Sequence, residues 1–98
     1  MSTPNYISLQ KAISLGEYNP DVLEKFSEFK ILERYTQFQL IRKALKNRES
    51  QLRLHWAEIA NSPRFSEKPH LKAALRDVEK QIEDLNADEE KLLIQYAK

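Results

Sequence analysis

Along the C-terminal third of the chain, apolar side chains recur four and then three positions apart. The series is Leu71, Leu75, Val78, Ile82, Leu85, Leu92 and Tyr96, with Glu89 as its one polar break. This rhythm marks a coiled-coil seam rather than the broader stripe of a helix laid on a globular core. A matching series lies upstream: Ile31, Tyr35, Phe38, Arg42, Leu45, Glu49, Leu52, Trp56 and Ile59, broken at Arg42 and Glu49. Two long helices sharing one seam are therefore predicted.

Capping residues set the boundaries. Thr3-Pro4 offers a hydroxyl cap and a proline at the first helical position, and Gly16 suits a left-handed C-terminal cap. Asn19-Pro20-Asp21 repeats the start signal with a carboxylate that favours the helix dipole. Nothing interrupts the pattern until Asn61-Ser62-Pro63, and Pro69 opens the last helix. The expected architecture is one all-α domain over residues 1–98, with helices at 4–15, 20–60 and 69–97. Asn86-Ala87-Asp88 is the weakest point of the last helix, but the apolar period continues through it.

A connection of about eight residues folds the long helices back as an antiparallel, coiled-coil-like hairpin. Folding about residue 65 sets Ile59 level with Leu71, Leu52 with Val78, Leu45 with Leu85 and Phe38 with Leu92. The same register places Arg42 beside Glu89, so the two charged breaks are expected to neutralise each other. Trp56, at a seam position, is expected to cap the closed end. Residues 20–32 then overhang the last helix, and the short N-terminal helix is expected to pack on that overhanging end. Phe26, Leu40 and Leu54, fourteen residues apart and away from the seam, form a second apolar stripe. A second stripe on a two-helix core calls for another layer, and a homodimer through it is the simplest supply.

Composition narrows the chemistry. The chain holds one glycine and no cysteine, which disfavours sheets, phosphate-cradling loops, disulfides and thiolate sites. Sixteen basic residues balance fifteen acidic ones, for a formal net charge of +1, so no global field favours nucleic acid or an anionic membrane. Apolar runs are too short for a membrane span, and Met1–Tyr6 lacks the pattern of a secretory leader, so a cytoplasmic protein is expected.

Local features offer more. Seven Lys or Arg lie between Lys30 and His55, against Glu33 and Glu49. Asp77 to Glu90 carries seven carboxylates and the lone cation Lys80, and the hairpin brings this stretch alongside the basic one. Arg53 and Glu79 are expected to pair, and such pairs select the antiparallel orientation. His55, Glu58 and His70 flank the connection with a weak resemblance to metal-ligand spacing, but solvent-facing helix ends explain them as well. No nucleophile motif and no histidine-centred triad can be assembled.

The expected function is therefore non-enzymatic: a small helical scaffold or protein-interaction module without cofactor or metal, self-associating and open to another protein partner. Its contact residues would be Phe26, Leu40 and Leu54, with Tyr6 and Ile7 contributing if the first helix is displaceable. The alternative is an RNA- or DNA-binding hairpin dimer that grips phosphates with Lys43, Lys46, Arg48 and Arg53. A shared exposed ridge of these four cations would favour that alternative.

Overall fold

The computed structural model describes residues 8–97. They form helices α1 (Leu9–Ser14), α2 (Pro20–Leu23), α3 (Ser27–Lys30), α4 (Arg34–Ala60) and α5 (Pro69–Ala97). A 3-10 turn at Phe65–Glu67 joins the last two, and the described residues contain no strand. Helices α4 and α5 pack as an antiparallel hairpin, and α1 lies against α4. Among the described residues, no helix is long and apolar enough to cross a membrane.

The hairpin follows the heptads. Leu45, Leu52 and Ile59 on α4, and Val78, Leu85 and Leu92 on α5, are buried along the seam. Arg34 donates to the Gln95 carbonyl at one end, and the Trp56 indole N–H donates to Glu79 toward the other. These contacts hold the antiparallel register. Helix α5 runs unbroken through Asn86–Asp88. The link behaves as its punctuation suggests: α4 stops at Ala60, Arg64 takes the left-handed conformation (φ 58°), and Pro69 opens α5.

The stretch from 20 to 33 departs from the expected continuous helix at 20–60. After the Asn19 side chain caps Asp21 N–H (3.0 Å), α2 lasts one turn. Phe26 (ψ 122°) and Glu33 (ψ 152°) are extended and break the chain into two corners. A straight helix would carry Leu23 and Phe29 beyond the end of α5. The corners turn both inward, to zero exposure, and burial of each contributes about 2–3 kcal/mol. Part of the lost helical bonding is replaced, because Gln37 Nε2 donates to the Phe29 carbonyl at 2.9 Å. Tertiary burial here outweighs helix continuity.

Two expected seam residues leave the seam as a result. Ile31, between α3 and α4, is 83% exposed, and Tyr35 is 69% exposed. Arg34 takes the seam side of the first turn of α4 instead, with its guanidinium 5.1 Å from the Tyr96 ring centroid. Tyr96 in turn stacks on Phe38 at 5.6 Å between centroids.

The first helix is shorter than the expected 4–15. Ser8 is extended, and its hydroxyl accepts from Lys11 N–H at 3.1 Å, so the helix starts at Leu9. Thr3, Pro4, Tyr6 and Ile7 lie outside the described residues. Gly16 has φ +86°, the left-handed cap expected of it. A Cβ there would sit 3.0 Å from Arg48 Cβ, so glycine also permits the close approach of this turn to α4. Asn47 Nδ2 donates to the Ile13 carbonyl at 2.9 Å and ties α1 to the same stretch. Leu9, Ile13, Glu28 and Leu40 share one groove, so α1 reaches from α3 to the middle of α4.

Candidate protein-interaction face

Two broad sides flank the seam, and the chain treats them differently. One side is sealed. Helix α1 lies on its α4 half, the Gly16–Asn19 turn extends toward α5, and the Tyr18 hydroxyl donates to Asp88 Oδ2 on α5 at 2.6 Å. Burial, then the Asp88 hydrogen bond and charge, push the Tyr18 pKa up to about 12, with Arg48 opposing. A cleft of about 670 Å³ beside this contact is lined by Tyr18, Arg48, Asp88, Lys91 and Gln95, among others.

The other side carries a second line of four–three positions, in which four of the eleven residues are apolar. On α4 it runs Arg42, Lys46, Glu49, Arg53 and Trp56; on α5 it runs Leu75, Glu79, Ile82, Asn86, Glu89 and Leu93. Among the described residues no helix covers this side. Trp56 is 37% and Leu93 40% exposed, while Leu75 and Ile82 are half-buried between the ridges. Arg53, Trp56, Glu79, Ile82 and Glu83 line a shallow groove of about 500 Å³ across it.

Several side chains depart from the sequence-based expectations. Trp56 stands at the rim of this groove and does not cap the closed end. Its ring bridges toward α5 through the Glu79 carboxylate, at 3.3 Å. Arg53 pairs within its own helix, with Glu49 at 3.2 Å, rather than with Glu79. Arg42 and Glu89 are both exposed, and among the described residues no ion pair joins them. Arg42 instead lies over the Phe38 ring, 5.8 Å from its centroid. Both seam breaks stay solvated at the margin, which removes the desolvation penalty that would have forced a pair.

The expected contact residues do not form one open stripe. Phe26 is half-buried against the core, and Leu40 is half-buried in the groove under α1. Only Leu54 of the three is exposed, at 63%. The stripe fails because α1 takes up its middle. The four cations of the nucleic-acid reading also diverge. Arg48 faces the sealed side beside Tyr18, whereas Lys46 and Arg53 belong to the open one. Lys43 lines the groove beside α1 with Leu40 and Asn47, so the four do not form one shared ridge.

His55 and His70 are exposed, and among the described residues no group of three His, Asp or Glu is placed to hold a metal ion.

Two features had escaped the sequence reading. Arg34, Phe38 and Arg42, spaced by four, and Tyr96 across the seam build a stack of two rings with a cation at each end; the spacing was visible. The Tyr18–Asp88 contact spans seventy residues and has no local signal. Compared with known proteins, the chain matches no family, no curated protein and no solved structure.

Proposed function

We propose that this protein is a non-enzymatic helical interaction module that docks a helical protein chain on the open side of its hairpin. The observation that carries this reading is the asymmetry of the two sides. The sealed side has its own helix and a half-buried hydrogen bond, whereas among the described residues no helix covers Trp56, Leu75, Ile82 and Leu93 on the open side. Aromatic and aliphatic anchors between charged ridges also match the anatomy of a protein interface, apolar at the centre and polar at the rim.

A photo-crosslinking residue placed at Leu93 and, separately, at Gln81 tests this in cells. Leu93 belongs to the open side; Gln81 is exposed on the sealed side, near Tyr18 and Arg48. The expected result is a discrete protein adduct from position 93 and none from position 81. Equal labelling from both positions, or none from either, would contradict the reading. Nucleic acid recovered from position 93 in place of protein would contradict it as well.

A further inference from the structure

We infer that the occupant of the open side is a second copy of this chain, related by a two-fold axis parallel to the hairpin, so that α4 of each copy lies over α5 of the other. This rests on the interaction-module reading and names its partner.

Charge complementarity argues for the second copy. Helix α4 holds six basic and two acidic residues, while α5 holds four basic and seven acidic ones. The open stripes repeat this split. Arg42, Lys46 and Arg53 outweigh Glu49 on α4; on α5, Glu79 and Glu89 outweigh Lys72, which lies in the same helical phase one heptad before Glu79. The face is therefore half basic and half acidic, divided along the seam. Such a face complements itself.

Only one of the two simple ways to stack it uses that property. Rotation about an axis across the hairpin puts α4 on α4 and α5 on α5, so like charges oppose along both helices. Rotation about an axis along the hairpin puts α4 over the partner's α5 and keeps residues at their own heights. Opposite charges then meet throughout, and every helix runs antiparallel to its neighbours, as in a four-helix bundle. At these heights the indole of Trp56 would stand over Leu75 and Ile82 of the other copy, and Leu93 near Phe38.

Size agrees. Helix α4, with 27 residues, spans about 40 Å, and two helices side by side present a width of about 20 Å. Such a face offers about 800 Å² per copy, the area that stable complexes bury on each partner.

The chain has no cysteine, so substituted thiols report arrangement cleanly. Lys46 and Asn86 are exposed, belong to the open stripes and lie at matching heights. The experiment uses Lys46→Cys and Asn86→Cys, each as a separate full-length chain, at tens of micromolar under mild oxidation. Circular dichroism verifies that each variant keeps its helical content, and sedimentation equilibrium gives the mass of the wild type. The expected result is a wild type at twice 11.6 kDa and a disulfide-linked dimer from the mixture of the two variants only. Linkage of Lys46→Cys chains to one another would overturn the arrangement by placing α4 on α4. A dimer that yields no mixed disulfide would overturn it by placing the contact elsewhere. A monomeric wild type would overturn the second copy itself. If a photo-adduct to a different protein still formed at Leu93 in that case, the interaction module would stand and only its occupant would be wrong.

Discussion

Tyr18 shows how one side chain closes a side of this molecule. Its hydroxyl reaches from the turn after α1 to Asp88 in the middle of α5, and joins segments that share no sequence neighbourhood. The bond uses the protonated phenol as donor, so the folded chain holds this proton more tightly than the unfolded chain. The folded pKa is raised from 10.0 to about 12, which makes the associated stability complete below pH 10 and lost as pH rises toward 12. Tyr18→Phe removes the hydroxyl and keeps the ring. It should lower stability by about 1 kcal/mol, because the hydrogen bond is charge-assisted but only partly shielded from water. Thermal melts of both proteins from pH 8 to 12 measure this. The wild type should lose its margin over Tyr18→Phe between pH 10 and 12, whereas a margin unchanged across that range would show that the phenol proton is not held by the fold.

At the scale of elements, the seam was legible and the corners were not. Leu45, Leu52 and Ile59 opposite Val78, Leu85 and Leu92 could be read because a heptad is a local rhythm that survives packing. The caps at Asn19 and Gly16 could be read because each depends on one or two adjacent residues. The breaks at Phe26 and Glu33 depend on where α5 ends and on how much apolar surface lies beyond it, and no nearby glycine or proline announces them. The fate of Leu40 was hidden for the same reason: a helix thirty residues away covers it. The open side was half legible, since Trp56, Leu75 and Ile82 stand out as apolar in the sequence but fall at seam positions of the heptad. Which of two flanking series stays uncovered depends on α1.

The corners make a clear mutational contrast. A straight helix would place Ile31 in the seam; the observed chain exposes Ile31 and buries Phe29 completely. Phe29→Ala should therefore cost about 3–5 kcal/mol in urea unfolding, and Ile31→Ala less than about 0.5. The reverse order would restore the continuous helix. The seam charges supply a second contrast. With Arg42 over Phe38 and apart from Glu89 of its own chain, the cycle of Arg42→Glu, Glu89→Arg and their combination, measured on dilute monomer, should show a coupling below about 0.5 kcal/mol. A combined variant that recovers more than 1 kcal/mol, roughly the value of a good exposed pair, would bring the two residues into contact after all.

The whole molecule is an elongated body of 52 × 29 × 23 Å, with a radius of gyration of 16.0 Å against about 13 Å for a compact chain of this length. Such a shape leaves a two-helix core thin, and among the described residues no helix covers one of its long sides. Small cores gain stability from an added layer, and α1 supplies that layer on one side only. The central claim is that another helical surface, that of a second copy, supplies it on the other. Trp56 is the only tryptophan and stands on the open side, so its fluorescence reports this layer directly. The decisive measurement compares Trp56 emission in the wild type and in Leu93→Glu, both at tens of micromolar and with matched helical content. Leu93 is far along the same face from Trp56, so the substitution reaches the indole only by removing the covering copy. The account predicts wild-type emission at a shorter wavelength than the variant's, converging on it as the wild type is diluted. Identical spectra at every concentration would contradict it.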